Sequence, residues 1–139
     1  MSNRYTLNHL LTLMSRLREP EYGCPWDLAQ SYQSIVSSTL EETYEVIDAI
    51  EREDYSQLEE ELGDLLFQVV FYSQLGAEED LFDFHSVVDA ITAKLLRRHP
   101  HVFPDGTLDS RVNLDDLNAD RQQAVIKASW ERGHLIQSP

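Results

Sequence analysis

Apolar positions recur along this chain with helical rather than strand periodicity, and they divide it into four segments. Residues 5–18 place Leu7, Leu10, Leu11, Met14 and Leu17 on one stripe, with Thr6 or Asn8 available as a cap, which predicts an amphipathic helix. Over residues 31–52 the stripe Val36, Leu40, Tyr44 and Ile47 is expected to face a core, while Ser38, Glu42, Glu45 and Ala49 lie on nearly the opposite side. A third helix is expected over residues 55–76, with Asp54 as its N-cap and Gly76 as its stop. Its stretch LGDLLFQVVFY, residues 62–72, is apolar almost all the way round, so other helices must enclose it. A fourth helix, residues 84–99, has Asp83 as its cap and Val87, Val88, Ile91, Leu95 and Leu96 as its apolar positions. Its last turn is basic, with Lys94, Arg97, Arg98 and His99, and Pro100 ends it.

The connections decide how these helices pack. Two prolines and a glycine within residues 19–27 exclude a continuous helix there, and burial of Trp26 would make it an ordered loop. Only two or three residues around 52–54 join the second and third helices, so these two must run antiparallel. Beyond a turn at 101–106 the chain is polar, with one further helix expected near residues 120–132. The expected fold is therefore all-α: an antiparallel helical hairpin bundle of four to five helices, one domain over residues 1–139 with its core at about 7–106 and a helical tail at about 113–139. The third helix is apolar on more faces than one small chain can cover, so a homodimer or higher oligomer is expected to complete the bundle.

Composition narrows the partners. With 42% hydrophobic residues in 139, the chain can build one core. No apolar run approaches the ~20 residues of a membrane span, no basic and apolar leader opens the chain, and the lone Cys24 forms no disulfide within it. A cytoplasmic protein without membrane association is expected. A net charge of −14 argues against a sequence-independent grip on nucleic acid, since neutralising phosphates needs an excess of Lys and Arg.

Against that acidic background two carboxylate pairs stand out. Glu42 with Glu45, and Glu61 with Asp64, are each spaced i, i+3, which on a helix makes neighbours on one face. Glu41, four residues before Glu45, flanks the first pair. A hairpin about residues 52–54 brings the two pairs level. Four carboxylates at about 6 Å repel by roughly 3 kcal/mol per pair at an effective dielectric near 20. Summed over the set, this rivals the ~5–15 kcal/mol stability of a whole domain. A hard divalent cation with oxygen ligands, such as Mg²⁺, relieves it best. The other acids of this stretch, Glu51, Glu53, Asp54, Glu59 and Glu60, read as a solvated face.

Other patterns carry less. Glu131-Arg132-Gly133-His134 fits half of a di-iron motif whose second half is missing. His99 and His101 lack a third ligand in sequence, and Cys24 has no adjacent cationic partner to make it a nucleophile. The basic turn holding Lys94 and Arg98 complements the helix dipole whatever else it does.

Glu41-Glu42-x-x-Glu45 followed by Glu61-x-x-Asp64 resembles the signature of the MazG-type nucleoside triphosphate pyrophosphohydrolases, an all-α family. Cys24-Pro25-Trp26-Asp27, Glu61-Leu62-Gly63-Asp64-Leu65-Leu66 and Arg97-Arg98-His99-Pro100-His101-Val102-Phe103 also resemble MazG blocks, in order, over about residues 7–106. The resemblance implies Mg²⁺ bound by Glu42, Glu45, Glu61 and Asp64, with Mn²⁺ as a substitute. It implies that Glu41 orients or deprotonates the attacking water and that Lys94 and Arg98 hold the triphosphate. The implied reaction is hydrolysis between the α- and β-phosphates, releasing a nucleoside monophosphate and pyrophosphate. In two places the chain departs from the family: Gln57 stands where active relatives can carry a lysine, and Gln123 where a tryptophan often precedes an Ile-Lys pair. A second reading stays open beside the first, a catalytically weak domain kept for dimerisation or regulation.

Overall fold

The computed structural model describes residues 4–112 together with positions 123 and 127; the helix expected near 120–132 and the rest of the tail lie outside the described residues. Two compact units divide the chain, Met1–Phe84 and His85–Pro139. Among the described residues there are five α-helices and one 3₁₀ turn, and no strand.

Helix α1, Leu7–Leu17, is opened by Thr6, whose hydroxyl accepts from the His9 amide while the Thr6 amide donates to His9 Nδ1 at 2.9 Å. His9 thus plays the part usually taken by Glu or Gln in a capping box. The loop after α1 is ordered, but a buried Trp26 does not hold it: Trp26 is 75% exposed. Backbone hydrogen bonds hold the loop instead, from Gly23 to the Glu19 carbonyl and from Cys24 to the Leu17 carbonyl, both at 2.9 Å. The approach is so close that a Cβ on Gly23 would lie 2.4 Å from the Leu17 carbonyl oxygen. Arg18 adds the second clamp. Its guanidinium donates to the Asp27 carbonyl at 2.6 Å and forks onto Glu78 at 3.0 and 2.6 Å. One short helix, α2 at Pro25–Leu28, sits in this loop with proline at its start, where no amide is needed.

A 3₁₀ turn, Gln33–Ile35, leads into α3, Val36–Glu51, which starts later than its apolar spacing predicts. Its exit is a complete Schellman motif: the amide of Asp54 donates to the Ala49 carbonyl and that of Glu53 to the Ile50 carbonyl, both at 3.0 Å, with Glu53 left-handed at φ 54°. Asp54 then caps α4, Tyr55–Glu78, by accepting from the Gln57 amide at 3.1 Å. Helix α4 runs two residues beyond Gly76. A second Schellman motif ends it, through the Leu81 amide on the Gly76 carbonyl at 2.9 Å and left-handed Asp80. Gly76 serves space rather than termination, since a Cβ there would meet the Phe82 ring at 2.7 Å.

The antiparallel hairpin of α3 and α4 packs along two stripes of alternating three- and four-residue spacing. From the end of the 3₁₀ turn through α3 the inward positions are Ile35, Thr39, Glu42, Val46 and Ala49; on α4 they are Leu58, Glu61, Leu65, Gln68, Tyr72 and Leu75. This is the seam of a coiled coil. At one end it joins a core of Met14, Ile35, Val70, Phe71 and Leu75, against which Leu10 and Leu11 of α1 pack. The stripe expected to face the core on α3 instead faces out: Val36, Leu40, Tyr44 and Ile47 are exposed, Tyr44 by 63%, while Ala49 on the opposite side is fully buried. Leu62, Leu66 and Val69 of α4 are exposed as well, so α4 is not enclosed within the single chain.

In the second unit, α5 spans Phe84–Arg98. The turn that follows is closed by the amides of Val102 and Phe103 on the His99 carbonyl, at 3.0 and 2.9 Å.

The Arg18–Glu78 pair supports a stability prediction. Its hydrogen bond holds the Glu78 carboxyl below the ordinary glutamate range, against the opposing effect of burial. A depressed folded-state pKa stabilises at pH above the unfolded value, and the contribution is lost as pH falls through the folded value. Arg18→Met should cost about 2–3 kcal/mol in urea denaturation at neutral pH, between an exposed and a buried pair. The deficit should shrink in acid, below the ordinary glutamate range. A deficit independent of pH would assign the effect of Arg18 to its carbonyl contacts alone.

Candidate metal centre

The hairpin seam sets the positions of the acidic side chains. Because Glu42 and Glu61 occupy inward stripe positions on antiparallel helices, their carboxylates meet across the seam, and Asp64, three residues after Glu61, closes in from its edge. One carboxylate oxygen from each of Glu42, Glu61 and Asp64 lies within 4.8 Å of the other two. Glu61 is buried, Glu42 half-buried and Asp64 exposed, so the group is open to solvent on one side. Glu45 and Glu41, from the same helix as Glu42, are exposed and stand outside this group. Lys94 and Arg98 lie on α5 in the second unit, Lys94 half-buried, Arg98 buried and Arg97 exposed.

The three carboxylates crowd like charge into one place. Glu42 Oε2 is buried and receives no hydrogen bond. Burial, with Asp64, Glu61 and Glu41 close by, pushes the Glu42 carboxyl above the ordinary carboxylate range. An octahedral cation with oxygens at about 2.1 Å sets adjacent ligands about 3 Å apart and opposite ones about 4.2 Å apart. The donor set is all oxygen and carries charge, the chemistry of Mg²⁺ or Mn²⁺ rather than of a soft metal.

Polar side chains extend from the three carboxylates along the hairpin, and of these Gln57 stands out in sequence only as a departure from the family. One turn before Glu61, Gln57 Nε2 donates to Glu61 Oε1 at 2.6 Å. One turn beyond Asp64, Gln68 Oε1 lies 2.9 Å from the Thr39 hydroxyl, which pairs with the Tyr72 hydroxyl at 2.7 Å. Tyr72 runs nearly parallel to Tyr32, with ring centroids 6.4 Å apart, and the Tyr32 hydroxyl reaches Glu79 at 3.2 Å. Their shared signal was the same three-four spacing that carries Glu42 and Glu61. Polar residues at such positions leave no trace in a hydrophobic pattern.

An all-α hairpin whose seam is broken by converging carboxylates defines a class of helical domains with an acidic centre. Residues 30–103 match the MazG nucleotide pyrophosphohydrolase domain, and the chain belongs to that family. It is 59% identical over 104 residues to a nucleoside triphosphate pyrophosphohydrolase of Escherichia coli K12, covering 75% of this chain and 40% of that protein. A nucleoside triphosphate pyrophosphohydrolase/pyrophosphatase of Thermotoga maritima is 41% identical over 113 residues, 81% of this chain and 44% of that one. The chain thus spans about two fifths of the length of these relatives. The crystal structure of a MazG-related protein from Thermotoga maritima shares the fold, with a TM-score of 0.64 at 22% identity, covering 90% of this chain and 99% of that one.

A raised folded-state pKa at Glu42 stabilises fully below the unfolded value and ceases to do so as pH rises through the folded value. Without divalent cations, wild type should therefore lose stability relative to Glu42→Gln as the pH is raised from about 5 to about 8. Thermal melts of both proteins in chelator would show the gap opening, and saturating Mg²⁺ should close or reverse it. A gap that stays constant across this range would remove Glu42 from the repelling group.

Proposed function

We propose that this chain is the hydrolytic domain of a nucleoside triphosphate pyrophosphohydrolase, cleaving between the α- and β-phosphates to release a nucleoside monophosphate and pyrophosphate. The convergence of Glu42, Glu61 and Asp64 around a buried oxygen without a donor supports this reading most directly. In it these three residues bind Mg²⁺, or Mn²⁺ in its place, and Glu45 joins them by turning inward from its exposed position on α3. When bound, the cation neutralises phosphoryl oxygens and lowers the pKa of a coordinated water. Glu41 orients the attacking water and takes its proton, its exposed carboxylate being free to act as a base. Lys94 and Arg98, four residues apart on α5, hold the triphosphate and offset charge on the departing pyrophosphate. The nucleotide is the expected small-molecule partner, with neither nucleic acid nor membrane. Among the described residues no helix is long and apolar enough to cross a membrane, and a cytoplasmic setting fits the nucleotide substrate.

The outward apolar stripes support a homodimer or higher oligomer. Val36, Leu40, Tyr44 and Ile47 on α3, with Leu62, Leu66 and Val69 on α4, leave the hairpin's outer side exposed in one chain. A second copy offers the same stripes, and a two-fold pairing buries both sets at once. The same surface carries the second reading, in which the domain serves assembly and its chemistry is weak.

A panel of nucleoside triphosphates assayed for pyrophosphate release tests the activity; no release from any of them favours assembly. Glu45→Gln should weaken Mg²⁺ binding in titration calorimetry, and an unchanged affinity removes Glu45 from the ligand set. Lys94→Ala and Arg98→Ala should each lower kcat/KM at least tenfold, about 1.4 kcal/mol of transition-state stabilisation. Arg97, about 100° round the helix, is the control. Loss of turnover in Arg97→Ala alone would place the substrate on the other side of α5. Sedimentation at micromolar concentration should give a dimer or larger species, and a monomer overturns the assembly.

A further inference from the structure

Gln57 occupies a position where a purely local role would be ordinary, yet its side chain is engaged elsewhere. Asp54-Tyr55-Ser56-Gln57 has the form of a capping box, in which the fourth residue reaches back to the amide of the first. Asp54 does cap, accepting from the Gln57 amide at 3.1 Å, but its own amide is already bonded to the Ala49 carbonyl at 3.0 Å through the Schellman motif. The back-bond that a capping-box glutamine supplies is thus taken. Gln57 turns the other way, and its Nε2 donates to Glu61 Oε1 at 2.6 Å.

Glu61 is the buried member of the carboxylate group, and the Gln57 amide donates to it from one turn earlier on the same helix. We infer that Gln57 is a positioning residue for the metal centre: it fixes one oxygen of Glu61 with a neutral donor and so presents the other to the cation shared with Glu42 and Asp64. An amide suits this task. It orients the carboxylate through a neutral donor and leaves the charge of the group unchanged. The Asp54 cap extends the chain of constraint one step back, because it holds the backbone of Gln57 at the first turn of α4. Partners of this kind, which touch a ligand rather than the metal, carry factors of about 10–100 in metal affinity.

The inference rests on the metal reading above, and the test separates the two. Mn²⁺ binding to the full chain is measured by electron paramagnetic resonance or calorimetry, without substrate, for wild type, Gln57→Met, Glu61→Gln and the double variant. Met matches the length of Gln, keeps helix propensity and lacks the donor. Gln57→Met should weaken Mn²⁺ binding about tenfold with little change in the apo melting temperature, and it should add nothing further in the Glu61→Gln background, since Gln57 acts through Glu61. Unchanged affinity in Gln57→Met overturns the inference, as does an equal loss in both backgrounds. Should Gln57→Met fold poorly, Gln57→Ala is read by the same cycle. Absence of Mn²⁺ binding by wild type overturns the metal reading and the inference together, whereas normal wild-type binding with an indifferent Gln57 overturns the inference alone.

Discussion

Like charges held together in the seam of a helical hairpin are the constraint on which the rest of this protein turns. A coiled-coil seam ordinarily gains its stability from apolar knobs at every inward position. Here Glu42 and Glu61 occupy two of those positions and Thr39 and Gln68 two more, so the middle of the hairpin is held weakly by its own packing. Stability has to come from the ends. At one end the core of Met14, Ile35, Val70, Phe71 and Leu75 and the Arg18–Glu78 clamp grip the far half of α4; at the other, the tight turn at Glu53 and Asp54 locks the helices together. Between them the acidic segment is kept in register against its own repulsion, with the Gln57–Glu61 and Thr39–Gln68 hydrogen bonds as its local support.

Much of this was legible in the sequence. Helical periodicity, the Asp54 cap, the antiparallel hairpin and the meeting of Glu42 with Glu61 and Asp64 all follow from local rules that depend on neighbours three or four residues away. The failures share a cause. Val36, Leu40, Tyr44 and Ile47 form the cleaner apolar stripe on α3, and a hydrophobic pattern reports how apolar a face is, not which partner covers it. The face that packs within the chain is the one mixed with Thr39 and Glu42. Trp26 misled in the same way, because size and apolarity suggest burial while the loop around it is held by main-chain bonds and by the reach of Arg18. Gly76 was read as a terminator by its type, but its place is set by the Phe82 ring, a contact that spacing cannot reveal.

The candidate site was only partly visible. Paired acids show in sequence because charge at helical spacing is conspicuous. That Glu42, Glu61 and Asp64 converge while Glu45 stays outside depends on how far each side chain lies from the helix contact line, which requires coordinates. The neutral polar residues Thr39, Gln68 and Tyr72 are hidden for a different reason: a single amide or hydroxyl among many carries no statistical weight until its hydrogen bond is seen.

Asp54 serves two helices at once, closing the Schellman motif of α3 and opening α4. A residue with both duties leaves no slack between the helices, so the hairpin behaves as a gauge of fixed length. Removing one residue there would rotate everything beyond it by about 100° and shift it by about 1.5 Å, carrying Glu61 out of the seam and Leu62 in. Lineages of such a domain are free to change what the turn is made of, but a change in its length would dismantle the acidic centre in a single step.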